Sequence, residues 1–241
     1  MLHVPRGPTR KRLFFVVMAS FLVVTVFAGF APTFYLRSSF NPKDELSILL
    51  HVHGLVMSTW IALFLVQTVL LARGSRMLHQ RLGWLAAGIA TAMVVLVSAA
   101  VIEQMRRVPP TPPPPIALAL SAFDIVAFII LVSSAIFLRK RPEWHKRLML
   151  SATIVLLGAP IFRIIQFTTS IDLPKALIFQ FLVTDLFFVP CFSYDLLARR
   201  RIHPAYLYAF ALIFIEQTAQ PIVISWTPWI NLANSIKSFV A

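Results

Sequence analysis

The stretch LFFVVMASFLVVTVFAGFA, residues 13–31, runs for nineteen residues without a charged side chain. A helix needs about 20 such residues to cross a bilayer. Comparable apolar runs follow to the end of the chain, separated by short polar or proline-rich connections. The sequence therefore predicts an all-α protein, a seven-helix transmembrane bundle forming a single domain over residues 1–241. The predicted spans are 13–36, 46–72, 80–103, 116–138, 146–168, 176–197 and 204–228.

Composition supports this class of protein and excludes others. The 241 residues are 59% hydrophobic and 13% charged, with a mean hydropathy of +0.81, whereas soluble domains carry about 25% charged residues. A net charge of +13 would suggest nucleic-acid binding in a soluble protein, but no polar segment is long enough to form a basic domain. The lipid bilayer is thus the predicted partner. The single cysteine, Cys191, excludes a disulfide framework and any CxxC motif.

The basic residues indicate the orientation. The N-terminus and the loops on its side carry fifteen of the 22 Lys and Arg residues, and the opposite side carries six. The positive-inside rule then places the N-terminus in the cytoplasm and the C-terminus outside. On the opposite side, residues 108–115 (VPPTPPPP) predict a stiff polyproline II spacer.

Three loops on the N-terminal side end in a histidine that opens the next span: His79, His145 and His203. In two of the preceding helices an aspartate, Asp124 or Asp185, stands about fourteen residues before a basic run. This pattern predicts one solitary helix followed by three related helical hairpins, with equivalent residues at a common level.

Three short motifs carry a family resemblance: LHVHG at 50–54, HQRLGW at 79–84 and WHKRLM at 144–149. On these the chain resembles a family of uncharacterised bacterial multi-pass inner-membrane proteins with a His-Arg-type turn opening a span. The resemblance implies a bacterial inner-membrane location and brings no activity with it.

Ionisable side chains inside spans are costly, so each is a candidate functional residue. The candidates fall in the half of the predicted bundle remote from the N-terminus. As metal ligands they are His51, His53, Asp124 and Asp185; as ligand-binding residues they are Arg163, Gln166, Glu216 and Gln217. His51 and His53 point about 160° apart on a helix, and His53 shares a stripe with Trp60 and Gln67. Arg163 is expected either to bind a ligand or to form an ion pair with Asp185 or Glu216.

Two further features concern the helices themselves. Pro160, Pro190 and Pro221 lie inside three consecutive predicted spans and could bend them around a cavity. At the cytoplasmic rim, a weaker second candidate site comprises His79, His145, His203 and Asp195; there the alternative is contact with lipid phosphates, with Asp195 paired to a loop arginine.

The sequence leaves three functions open. The first is the binding of a small polar ligand or metal ion in an outward-opening cavity, for transport, sensing or delivery. The second is a membrane-embedded, metal-dependent enzyme acting on lipid or isoprenoid substrates. The third is a b-type haem electron carrier, ranked behind a divalent metal because bis-histidine ligation requires two histidines at matching depth on facing helices. The oligomeric state is not predicted.

Overall fold

The fold is that of a computed structural model, which describes residues 10–40, 45–106 and 113–240. Within these ranges the chain is almost entirely helical and contains no strand. A π-helical turn, Ala31–Tyr35, continues the first helix. The helices are α1 Arg10–Phe30, α2 Arg37–Phe40, α3 Ile48–Ala72, α4 Arg76–Met105, α5 Pro114–Phe137, α6 Pro142–Val155, α7 Gly158–Thr168, α8 Leu173–Leu186, α9 Phe188–Arg199, α10 Pro204–Ser225 and α11 Thr227–Val240.

Seven stretches of the described chain are long and apolar enough to cross a membrane, which confirms the predicted multi-pass membrane protein. They match the predicted spans to within a few residues at most ends. These spans, first to seventh, are Leu13–Tyr35, Ile48–Ala72, Arg76–Met105, Pro115–Phe137, Pro142–Thr168, Leu173–Arg199 and Pro204–Ser225.

Several boundaries differ from the prediction. The third and fifth spans begin at Arg76 and Pro142, four residues early in each case, so that residues assigned to loops are helical. The seventh span ends at Ser225, and a separate helix, α11, follows it. This helix packs on α4 and α5, where the indole Nε1–H of Trp229 donates to the Pro115 carbonyl at 2.9 Å. Most of the proposed polyproline segment, residues 108–112, lies outside the described residues.

Two of the three intramembrane prolines interrupt their helices. The fifth span breaks after Val155 and resumes at Gly158, and the sixth breaks at Phe187. A proline ring clashes with the carbonyl of the residue four positions earlier. That residue is Leu156 for Pro160 and Leu186 for Pro190, so each helix breaks at the position expected from its proline. The helix of the seventh span continues through Pro221.

The fifth span occupies the centre of the bundle. Its two helices contact the first, fourth, sixth and seventh spans. Within its most apolar window 67% of residues are buried, against 22–33% in the other spans. The fifth span is therefore enclosed by the rest of the bundle to a much greater extent than the other six spans are.

A backbone contact joins the first span to the fifth. A Cβ atom added at Gly29 would lie 2.4 Å from the Pro160 carbonyl oxygen and 2.6 Å from its Cα. Small residues allow membrane helices to approach this closely. Gly29 thus sets the distance between the first span and the second half of the fifth.

Candidate functional site

The bundle has two distinct ends. The basic end carries the connections at 73–75, 138–141 and 200–203, and the far end carries those at 36–47, 106–113 and 169–172. Cavities of about 230 and 270 Å³ lie at the basic end. Polar groups are buried toward both ends, in two separate clusters.

Two carboxyl groups meet between the fourth and seventh spans. The side chains of Asp124 and Glu216 are neighbours, and Glu216 is 6% exposed. Its Oε1 accepts from Gln220 Nε2 at 2.8 Å, while its buried Oε2 has no donor among the described residues. Two neighbouring carboxyl groups in a low-dielectric setting are not ionised together. We therefore expect the pair to hold a proton, which would also satisfy Oε2.

Amide side chains extend this pair into a cluster reaching the sixth span. Gln217 Nε2 donates to Asp185 Oδ1 at 3.2 Å. A Cβ atom built at Gly158 would lie 2.8 Å from Gln180 Nε2 and 3.5 Å from Asp124 Oδ2, so this glycine makes room for both groups. We call the set the carboxyl–amide cluster: Asp124, Gln180, Asp185, Glu216, Gln217 and Gln220.

The carboxyl–amide cluster lacks a cationic partner. Among the described residues no Lys, Arg or His forms a salt bridge with Asp124, Asp185 or Glu216. Uncompensated carboxylates inside a membrane are costly. Protonation, or a bound cation, would remove that cost.

Arg163 lies apart from these carboxylates. Its Cζ is 4.6 Å from the centre of the Phe30 ring, and its Nη1 makes a long contact, 3.5 Å, with the Ala159 carbonyl. The expected ion pair with Asp185 or Glu216 is absent from the described structure, because Arg163 packs toward the first span instead. His53 is the titratable group near Arg163.

The predicted stripe on the second span is confirmed. Trp60 and Gln67 are buried, and His53 is partly buried with its Nδ1 unpartnered in the described chain. His51 is exposed and its Nδ1 donates to the Ser47 carbonyl at 3.1 Å. His53 is thus the inward-facing histidine. Gln166, a candidate ligand residue, is exposed.

The metal candidates do not converge. His51 faces outward and Asp124 and Asp185 belong to the carboxyl–amide cluster. Across residues 10–40, 45–106 and 113–240, no three His, Cys, Asp or Glu side chains form a group suited to a metal ion.

At the basic end, a buried ion pair joins the fifth and sixth spans. Arg147 and Asp195 are 1% and 0% exposed; Arg147 Nε donates to Asp195 Oδ2 at 3.0 Å and its Nη2 to Oδ1. Arg147 Nη1 also donates to Glu143 Oε2 at 2.7 Å. Asp195 pairs with an arginine, but Arg147 lies inside the helix and not in a loop, as the alternative for this site had expected.

This pairing divides the second candidate site. Asp195 Oδ2 accepts a hydrogen bond from the backbone N–H of His203 at 2.9 Å. The Nδ1 of His203 in turn accepts a hydrogen bond from the backbone N–H of Ala205 at 3.1 Å, so His203 caps the seventh span. Burial lowers the pKa of His203, and the charges of Arg147 and Arg199 lower it further. His79 and His145 remain together, with ring centres 6.3 Å apart.

Sequence reasoning missed several of these residues. Gln180 and Gly158 were not singled out, although Gln180 is a polar residue within an apolar run. Glu143 was also missed; its position four residues before Arg147 is the signal for a helical ion pair.

The chain was compared with protein-family models, curated proteins and solved structures. None of the three comparisons gives a match.

Proposed function

We propose that this multi-pass membrane protein binds a small polar cation at the carboxyl–amide cluster and exchanges it for a proton, as a transporter of a bacterial inner membrane. The observation that carries the proposal is that Asp124 and Glu216 are neighbours inside the bundle and form no salt bridge in the described chain. Intramembrane carboxyl groups of this kind form proton relays and coupling sites in transporters.

The arrangement suits exchange at one site. Two carboxyl groups in contact hold one proton between them, since both cannot be ionised together in a low-dielectric setting. Loss of that proton leaves negative charge that a cation can neutralise. Asp124 and Asp185 are partly exposed whereas Glu216 is buried, so a ligand would meet the two aspartates and Glu216 would retain the proton.

The basic end determines which way the protein faces in the membrane in this proposal. By the positive-inside rule it faces the cytoplasm, which places the carboxyl–amide cluster in the outer half of the membrane. The binding site would then open outward. No contact in the described chain favours a metal-dependent enzyme, since the candidate ligands for its metal lie apart.

Infrared spectroscopy of the purified protein tests the shared proton. At neutral pH we expect a carbonyl band of a protonated carboxyl group, lost in both Asp124→Asn and Glu216→Gln. Asp172→Asn is the matched control, because Asp172 is exposed and pairs with Lys175 at 2.6 Å. An unchanged band in both cluster variants would disprove the proton-holding pair.

Vesicle assays test the exchange itself. Reconstituted protein, with a pH-sensitive dye inside the vesicles, would be exposed to gradients of Na⁺, K⁺ or guanidinium. We expect a cation gradient to drive proton movement in wild type and in Gln166→Ala, whose side chain is exposed, and not in Glu216→Gln. Equal proton movement in Glu216→Gln and wild type would exclude this cluster as the coupling site.

A further inference from the structure

The histidines that open the third and fifth spans form a pair at matching depth. Each is the fourth residue of its helix: His79 in α4, which begins at Arg76, and His145 in α6, which begins at Pro142. Their ring centres are 6.3 Å apart and their planes cross at 78°. His203 lies just before its helix and caps it, so it is not part of the pair.

One nitrogen of His145 is fixed by a hydrogen bond, and one nitrogen of His79 has no partner in the described chain. His145 Nδ1 donates to the Ala135 carbonyl at 2.8 Å, which leaves the lone pair on Nε2. Metal-binding histidines commonly fix their second nitrogen in this way. His79 Nδ1 is buried without a partner in the described chain.

The separation of the rings fits one metal ion between them. Two metal–nitrogen bonds of about 2.0–2.1 Å, with about 1.1 Å from each nitrogen to its ring centre, give roughly 6.3 Å. No third His, Cys, Asp or Glu in the described residues completes the set. An ion held here must therefore bring its other ligands with it, as a porphyrin-bound iron does.

The basic residues near the two histidines also favour an iron ion bound in a porphyrin. Exposed basic residues lie on the third span and in the loop before the fifth: Arg76, Arg81, Arg139, Lys140 and Arg141. A free divalent cation would be repelled by them, whereas haem carries two carboxylates that they can bind. We propose that His79 and His145 are the axial ligands of a b-type haem at the basic end, independently of the carboxyl–amide cluster.

Haem titration of the full-length protein tests the proposal. Detergent-purified protein would be titrated with hemin and followed by absorption and electron paramagnetic resonance. We expect one haem per chain with a low-spin, bis-imidazole signature. His79→Gly and His145→Gly should each weaken hemin binding by at least about tenfold and lose that signature, and added imidazole should restore it. His203→Asn, which keeps a helix-capping acceptor, should bind as wild type does.

Three outcomes would overturn the proposal. The first is failure of folded wild-type protein to bind hemin specifically. The second is a low-spin signature that survives in both His79→Gly and His145→Gly, since the ligands would then lie elsewhere. The third is binding of Cu²⁺ or Co²⁺ through these histidines without affinity for hemin, which would make the pair a site for free metal ions. Size-exclusion profiles of each variant separate ligand loss from misfolding.

Discussion

Removal of Asp195 is expected to destabilise the basic end strongly. This carboxylate is fully buried and accepts two hydrogen bonds from the Arg147 guanidinium and one from the His203 backbone. Loss of one partner of a buried ion pair costs about 3–5 kcal/mol, because the other charge is left unpaired. Arg147 keeps its contact with Glu143, so we expect Asp195→Ala to cost about 3–4 kcal/mol, in the lower part of that range.

The free energy of unfolding can be measured in mixed micelles of dodecyl maltoside and sodium dodecyl sulfate, followed by tryptophan fluorescence. Glu103→Ala is the matched control: it removes a more exposed ion pair with Arg106, at 3.5 Å, which is worth at most about 1 kcal/mol. The double variant Arg147→Met/Asp195→Leu should regain part of the loss, since it buries no unpaired charge. If Asp195→Ala cost no more than Glu103→Ala, the ion pair would have no part in holding the fifth and sixth spans together.

Two other predictions concern packing and pH. Gly29→Ala should cost about 1–3 kcal/mol by overpacking, because its Cβ would meet the Pro160 backbone. Gly83→Ala is the control: Gly83 has open space around it, so this variant should stabilise the protein by up to about 1 kcal/mol. Equal effects of the two variants in the same unfolding assay would refute the close contact at Gly29. His203 has a pKa below its unfolded value of about 6.5, so the unfolded chain takes up the proton first and stability falls as the pH drops below that value. Wild type should thus lose more stability than His203→Asn on acidification below pH about 6.5, and parallel pH profiles would contradict this.

The number of spans could be predicted from the sequence because polar groups are costly to bury in lipid, so each span is a long apolar run. The sequence also placed His53 on one helical stripe with Trp60 and Gln67, but left open whether His51 or His53 faces inward. The helix breaks at Pro160 and Pro190 followed from the geometry of proline. These features depend on local chemistry, which a sequence records residue by residue.

Features that depend on which helices are neighbours were not predicted. The partner of Arg163 was sought among the carboxylates, but the packing places it on Phe30 of the first span. The partner of Asp195 was expected in a loop, because charge usually marks the end of a span; Arg147 instead lies within the fifth span, and Asp195 on another span compensates its charge. The third and fifth spans begin four residues before their predicted starts, so His79 and His145 lie within helices.

The central position of the fifth span has a consequence for biogenesis. This helix contacts two spans that are synthesised before it and two that are synthesised after it. Its buried Arg147, Ser151 and Thr153 therefore meet their full set of protein neighbours only after the sixth and seventh spans have entered the bilayer. Until then the fifth span presents polar side chains to lipid or to the insertion machinery, so a ribosome that stalls after it would leave a product unable to complete its own core.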